Sequence, residues 1–305
     1  MGSFYTWSDT INNQLAPKET LLNIGPISIN SRDWGGQGRN IILIHGLASN
    51  SQIWDLVAPL LVKANTVVAI DQRGHGLSSK PDHGYDFKTV TNDLSLFMDN
   101  SQITNPLLIG HSWGGSVALN FAAQNLRPIS GICLVDGGLI EISSIPGNSL
   151  KKALVDMAPP LFDGLTETAL RDRISKRDWG DRDEISIKSD LADIVMANFQ
   201  ENSDGTITPR FKRSSHLKVV EAFWNHRPST LFSSITCPVL NLPARLNKDK
   251  NPRQKLRQKL IEQAESEISR FDTVWLEQSI HDVPIQKPML VATTISQYID
   301  RGFFD

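Results

Sequence analysis

Short apolar runs alternate along this chain with longer segments of helical period. Residues 40–44 read Asn-Ile-Ile-Leu-Ile, an apolar run that suits a strand buried on both faces. Residues 66–70, 106–109, 129–135, 238–242 and 273–276 carry comparable runs, and 21–24 with 27–34 read as an earlier antiparallel pair. Helical stretches fit between them at 52–63, 87–100, 113–126, 252–267 and 288–300. The alternation predicts an α/β fold: a mostly parallel, eight-stranded sheet with helices on both faces.

One interval breaks the pattern. Between residues 139 and 226 there is no buried-strand run, only amphipathic pieces at 150–157, 166–175 and 187–199, with a turn signal at Asp204-Gly205. A structureless loop of that length is implausible in a compact domain. The interval therefore reads as a helical insertion over the edge of the sheet. The expected division is a core domain of residues 1–138 and 228–305 with a helical cap at 139–227.

Composition changes this picture little. With 305 residues, 40% hydrophobic and 21% charged, the chain has ordinary globular composition and length enough to bury a core without disulfides. A net charge of −2 points to neither nucleic acid nor a membrane surface as a partner. The basic stretch at 248–259 reads as a solvated helix face. Two cysteines, Cys133 and Cys237, make no disulfide framework, so a reducing compartment is expected. There is no apolar span of about 20 residues and no signal-peptide core, so a cytoplasmic location is expected. The start Met1-Gly2-Ser3-Phe4-Tyr5-Thr6 fits a loose myristoylation pattern and is read as coincidental.

The candidate chemistry is concentrated at Gly110-His111-Ser112-Trp113-Gly114-Gly115. It follows the run Leu107-Leu108-Ile109 and precedes a helix-like segment, the context that a G-x-S-x-G nucleophile elbow requires. A serine on so sharp a turn needs small neighbours two residues away, and Gly110 and Gly114 supply them. A serine hydroxyl also needs a base. Six of the seven histidines have blander explanations: His45, His75 and His111 lie in glycine-flanked turns, His83 in a polar loop, and His216 and His226 in the insertion. His281 follows the last strand and precedes the last helix, where a loop can reach across the carboxyl ends of the strands. The backbone N–H groups of Leu47, after His45-Gly46, and of Trp113 are the expected oxyanion donors. The loop Asp71-Gln72-Arg73-Gly74-His75-Gly76 reads as structural.

Taken together, His45-Gly46, the D-x-R-G-x-G run from Asp71 to Gly76, the elbow, and the late H-D-x-P from His281 to Pro284 resemble the α/β-hydrolase family. The resemblance is closest to its capped enzymes: epoxide hydrolases, dehalogenases, cofactor-free haloperoxidases and small esterases. It implies an α/β-hydrolase fold with a cap. Epoxide hydrolases and dehalogenases carry aspartate at the elbow, so Ser112 implies acyl transfer instead. The family's commonest acid follows the strand after the cap, and here that position holds Asn247. Asp136, which ends the run Leu134-Val135 and precedes Gly137-Gly138, is the favoured acid. Asp249 is the alternative, with Glu141, Asp282 or an acid-free dyad behind it.

These features lead to the expectation of a serine hydrolase acting on an ester, lactone or related acyl bond of a small apolar molecule. Ser112, His281 and Asp136 are its expected catalytic residues, with no metal and no cofactor. The expected cap lining is Met157, Leu161, Phe162, Phe199, Phe223 and Trp224. Carbon–carbon bond hydrolysis or perhydrolysis on the same triad, or a non-hydrolytic small-molecule receptor, are the competing readings.

Overall fold

The computed structural model describes residues 16–246 and 252–305. Twelve strands are assigned among them: β1 (Lys18–Asn23), β2 (Ser28–Gly35), β3 (Arg39–Ile44), β4 (Asn65–Ile70), β5 (Leu107–His111), β6 (Gly131–Val135), β7 (Phe199–Glu201), β8 (Ile207–Pro209), β9 (Val239–Leu242), β10 (Ala244–Arg245), β11 (Phe271–Thr273) and β12 (Leu276–Glu277). Eight form one sheet in the order β1-β2-β4-β3-β5-β6-β9-β11. β2 runs antiparallel to both β1 and β4, and every other pairing in this sheet is parallel. This is the α/β-hydrolase fold, with the expected eight-stranded, mostly parallel sheet.

The apolar runs are buried because both faces of the sheet are covered. Ile42, Ile44, Val68, Ile70, Leu108 and Leu134 point to one side, with Phe97, Phe121 and Leu260 from the helices Phe87–Asn100, Trp113–Gln124 and Pro252–Glu267. Ile41, Leu43, Val67, Ile109, Cys133 and Val135 point to the other, with Trp54, Leu61 and Ile295. The strand period of two thus places successive residues of one run in two different cores. Both cysteines are free, and Cys133 is buried.

Three expectations differ from the observed elements. The stretch at 52–63 is not one helix but a short 3-10 turn, Ser51–Trp54, and a single helical turn, Ala58–Leu61. Pro59 in the first turn of the latter has no N–H and would crowd the carbonyl of Asp55 in a continuous helix. The run at 273–276 divides: β11 joins the main sheet beside β9, and β12 pairs with β10 instead. The interval 139–227 holds five helices, among them Glu167–Ser175, Leu191–Met196 and Arg213–Asn225, but also the unexpected hairpin β7–β8. The hairpin turns at the Asp204-Gly205 signal, where Gly205 has φ 77°.

The chain passes from β3 to β4 on one side, then crosses to β5 on the other. The order of an open sheet reverses at such a point, and a crevice opens there at the carboxyl ends of the strands. The loops after β3, β5 and β6 all end in it.

Candidate active site

Ser112 sits between β5 and the helix Trp113–Gln124 with φ 53° and ψ −117°, a strained conformation for any residue with a side chain. The flanking glycines make the turn possible. A Cβ on Gly110 would lie 2.2 Å from the carbonyl oxygen of Gly114, and one on Gly114 would lie 2.2 Å from that of Ile44. The Ser112 N–H donates to the Val135 carbonyl (3.0 Å), tying the turn to β6. The side chain stands at the N-terminal end of the helix, whose partial positive charge favours a developing anion.

His281 and Asp136 meet this serine. The Ser112 hydroxyl lies 3.0 Å from His281 Nε2, and His281 Nδ1 lies 2.6 Å from Asp136 Oδ2. A carboxylate can only accept, so Nδ1 carries the proton and Nε2 is left free to accept from the serine. Asp136 is buried, with 9% of its side chain exposed, whereas the His281 side chain is 55% exposed. Asp136 takes φ 44°. Its second oxygen, Oδ1, accepts from the Ala244 N–H (2.9 Å) and from the guanidinium of Arg257.

These contacts set the charges. Burial alone would raise the Asp136 carboxyl, but the hydrogen bond from His281 and the charge of Arg257 outweigh it and hold the group well below the usual carboxylate range. Burial alone would lower His281; the hydrogen bond and charge of Asp136 outweigh it and hold the imidazole above its ordinary 6.5. His111 lies beneath His281, with ring centroids 4.9 Å apart, and its Nε2–H donates to the His281 carbonyl (2.8 Å). Burial, reinforced by the neighbouring His281, pushes His111 down to about 4, so it is neutral at pH 7.

The loop after β3 is braced from below. His45 Nε2 accepts from the Gln72 N–H (3.0 Å), His75 Nε2 accepts from the Ala48 N–H (3.2 Å), and Asp71 Oδ1 accepts from the Ser51 N–H (2.7 Å). Arg73 of the same D-x-R-G-x-G loop forms a buried ion pair with Asp93 (2.6 Å). Leu47 therefore belongs to a loop held at several points, and it lines a cavity of about 190 Å³ with Ser112, His111 and His281. Trp113 is the first residue of its helix, where backbone N–H groups have no intrahelical partner. A second cavity, about 320 Å³, lies against the other side of His281, with Asp136, Leu139, Ile142, Met157, Leu260 and Arg257 in its wall.

The remaining expectations fall out unevenly. Glu141 pairs with Arg227 (3.3 Å) and Asp282 with Arg177 (2.6 Å); Asp249, like Asn247, lies outside the described residues. Of the expected cap lining, Met157 borders the second cavity, while Leu161 and Phe162 border a different one that neither Ser112 nor His281 lines. Phe162 packs edge-to-face on Phe199, and Phe223 and Trp224 pack against the core. From the interval 139–227, Arg177, Trp179, Ile194, Val195 and Asn198 instead line the cavity beside the serine. Lys255 and Lys259 of the basic stretch are exposed, as a solvated face requires, but Arg257 departs from that reading with a side chain only 22% exposed. Nothing near it in sequence marks it, because its partner is 121 residues away. Among the described residues no His, Cys, Asp and Glu side chains gather as metal ligands would, and no helix is long and apolar enough to cross a membrane.

A family model described as "Alpha/beta hydrolase family" matches residues 41–293. A 2-(acetamidomethylene)succinate hydrolase of Mesorhizobium japonicum is 31% identical over 118 residues, covering 38% of this chain and 41% of that protein. A soluble epoxide hydrolase of Corynebacterium sp. is 36% identical over 108 residues, covering 35% of this chain and 38% of that one. The chain thus spans about two fifths of the length of the curated relatives it matches. The crystal structure of E-2-(acetamidomethylene)succinate hydrolase superposes with a TM-score of 0.74 over 93% of this chain and 99% of that one, at 21% identity. A bromoperoxidase from Bacillus anthracis gives 0.68 over 93% and 100%, at 18% identity. At such identities these structural likenesses speak for the fold alone. The match over residues 41–293 carries the family assignment: the chain belongs to the α/β-hydrolase family.

Proposed function

We propose that this protein is a serine hydrolase that cleaves an ester, lactone or related acyl bond of a small molecule through an acyl-enzyme. The observation that carries the reading is the chain of contacts Ser112–His281–Asp136, at 3.0 and 2.6 Å. In the first half-reaction the Ser112 hydroxyl gives its proton to His281 Nε2 as its oxygen attacks the acyl carbon. The N–H groups of Leu47 and Trp113 hold the oxyanion. The imidazolium, stabilised by Asp136, returns the proton to the leaving oxygen as the acyl bond breaks. Water then gives a proton to His281, attacks the acyl-enzyme and releases the acid, and the serine recovers its proton.

In this reading residues 139–227 are a cap, which shapes the substrate side of the cavity through Trp179, Ile194 and Val195. A serine at the elbow sets the chain apart from the aspartate chemistry of the epoxide hydrolases and dehalogenases that it resembles. Wild-type protein should react with a fluorophosphonate and cleave short-chain p-nitrophenyl esters. Ser112→Ala should abolish labelling and lower turnover by at least about 10⁴-fold. Labelling and cleavage that persist in Ser112→Ala, or their absence from the wild type, would refute the proposal.

A further inference from the structure

Arg257 is placed where no acyl-transfer mechanism of this kind requires a cation. It rises from the helix Pro252–Glu267 and donates through Nη2 to Asp136 Oδ1, the oxygen that His281 does not use. Through Nη1 it also reaches the Ala244 carbonyl (3.3 Å), and Ala244 in turn donates its N–H to the same carboxylate oxygen. The guanidinium thus holds both the acid and Ala244, the residue whose N–H anchors that acid. Its side chain is only 22% exposed, so the interaction is not screened as a surface pair would be.

The geometry points to Arg257 as a positioning residue: it locks the Asp136 carboxylate by its outer oxygen and opposes part of the negative field that Asp136 exerts on His281. This inference rests on the reading of Ser112, His281 and Asp136 as a triad. The Ala244 N–H already holds that outer oxygen, but it brings no full charge. With the backbone donor alone, the carboxylate would stabilise the imidazolium more strongly and make the base too readily protonated near neutral pH. The guanidinium adds a second hydrogen bond to that oxygen and a positive charge that limits this effect.

The other charged and titratable groups around His281 do not duplicate this role. Asp282, the next residue, is tied to Arg177 (2.6 Å). His111 lies below as a neutral ring. Glu141 and Asp156 line the cavity beside His281 and are paired with Arg227 and Lys152. Apart from His281 itself, Arg257 is the one basic side chain among the described residues that line that cavity. Its positive charge acts to lower His281, opposing Asp136 and Asp282.

The test compares wild type with Arg257→Gln, Arg257→Met and Arg257→Lys. Imidazole NMR would follow the titration of His281 directly, and the pH dependence of fluorophosphonate labelling would follow Ser112. Gln keeps donors but not charge, Met keeps neither, and Lys keeps charge. Gln and Met should each raise the His281 midpoint by about one unit, with the acidic limb of labelling moving by the same amount. Lys should hold both near the wild-type values. A purely structural arginine would change the melting temperature and leave the midpoint in place. An unmoved or lowered midpoint in folded Gln or Met variants, or a Lys variant that shifts as they do, would overturn the proposal. Absence of labelling in the wild type would refute the hydrolase reading instead, and the NMR midpoint would still decide the role of Arg257.

Discussion

The turn that carries Ser112 is written in six consecutive residues, 110–115, and closes against Ile44 and Val135 of the neighbouring strands, whereas Asp136 finds partners for its side chain across 108, 121 and 145 residues of chain. At the nucleophile end the backbone does the work. The strained φ and ψ of Ser112 are enforced by a strand on one side, a helix on the other, and two glycines whose missing side chains let the segments close up. At the acid end the work is electrostatic. Asp136 is held by a backbone N–H from one segment, a guanidinium from a second and an imidazole from a third. Strain in a short turn is a local property that a sequence pattern can express. A balance of buried charges is a sum over distant groups, and no local pattern expresses it.

If the two ends are built differently, they should fail differently. Loss of Ser112 itself aside, the largest effect belongs to the acid end. Asp136→Asn should lower turnover by about 10⁴-fold, because the amide no longer selects the Nδ1–H form of His281 or supports its charge. The pH profile should move as well. His281 accepts a proton only when neutral, and Asp136 holds it above 6.5, so wild-type activity should rise as pH rises through a value above 6.5. With the carboxylate gone, the residual activity should keep its acidic limb at lower pH. A pH–rate profile that stays in place would mean that Asp136 is not the partner of the base.

Loss of the serine hydroxyl aside, the turn around Ser112 should fail as a stability defect. Gly114→Ala places a methyl group 2.2 Å from the Ile44 carbonyl oxygen, so the strand and helix must separate. We expect a loss of about 3 kcal/mol in urea unfolding, with the protein's pH profile unchanged in whatever activity survives. A melt indistinguishable from wild type would show that the close approach is not needed.

His111 tests the join between the two ends, since it sits in the elbow but hydrogen-bonds to the His281 carbonyl. His111→Leu should lower kcat about tenfold through a misplaced base, the equivalent of one hydrogen bond. His111→Gln, which can present a donor at a similar place, should recover most of the loss. Equal kinetics for the two variants would show that this hydrogen bond does not position the base.

How much was legible follows the same division. The strands β3 to β6 were visible as apolar runs because both faces of the sheet are covered, which removes the polar alternation. The elbow was visible because its glycines are contiguous with its serine. The division of the 52–63 stretch turned on a single proline, and the hairpin β7–β8 was obscured by the helical period of the residues before it. Trp179 and Ile194 could not be told from ordinary cap-interval hydrophobics, since which side chain borders a cavity depends on how short helices pack.

By itself the sequence determined the class of sheet, the position of the turn that carries Ser112, and the choice of a late loop histidine to face it. Each of these depends on periodicity or on adjacent residues, and such information survives in a linear string. The tertiary structure decided that Asp136 lies against His281, that Arg257 closes over the far side of that carboxylate, and that His111 reaches from the elbow to the histidine loop. Those depend on which segments are brought together when β6 and β9 pair, and Coulomb and hydrogen-bond energies are set by distance in space rather than along the chain.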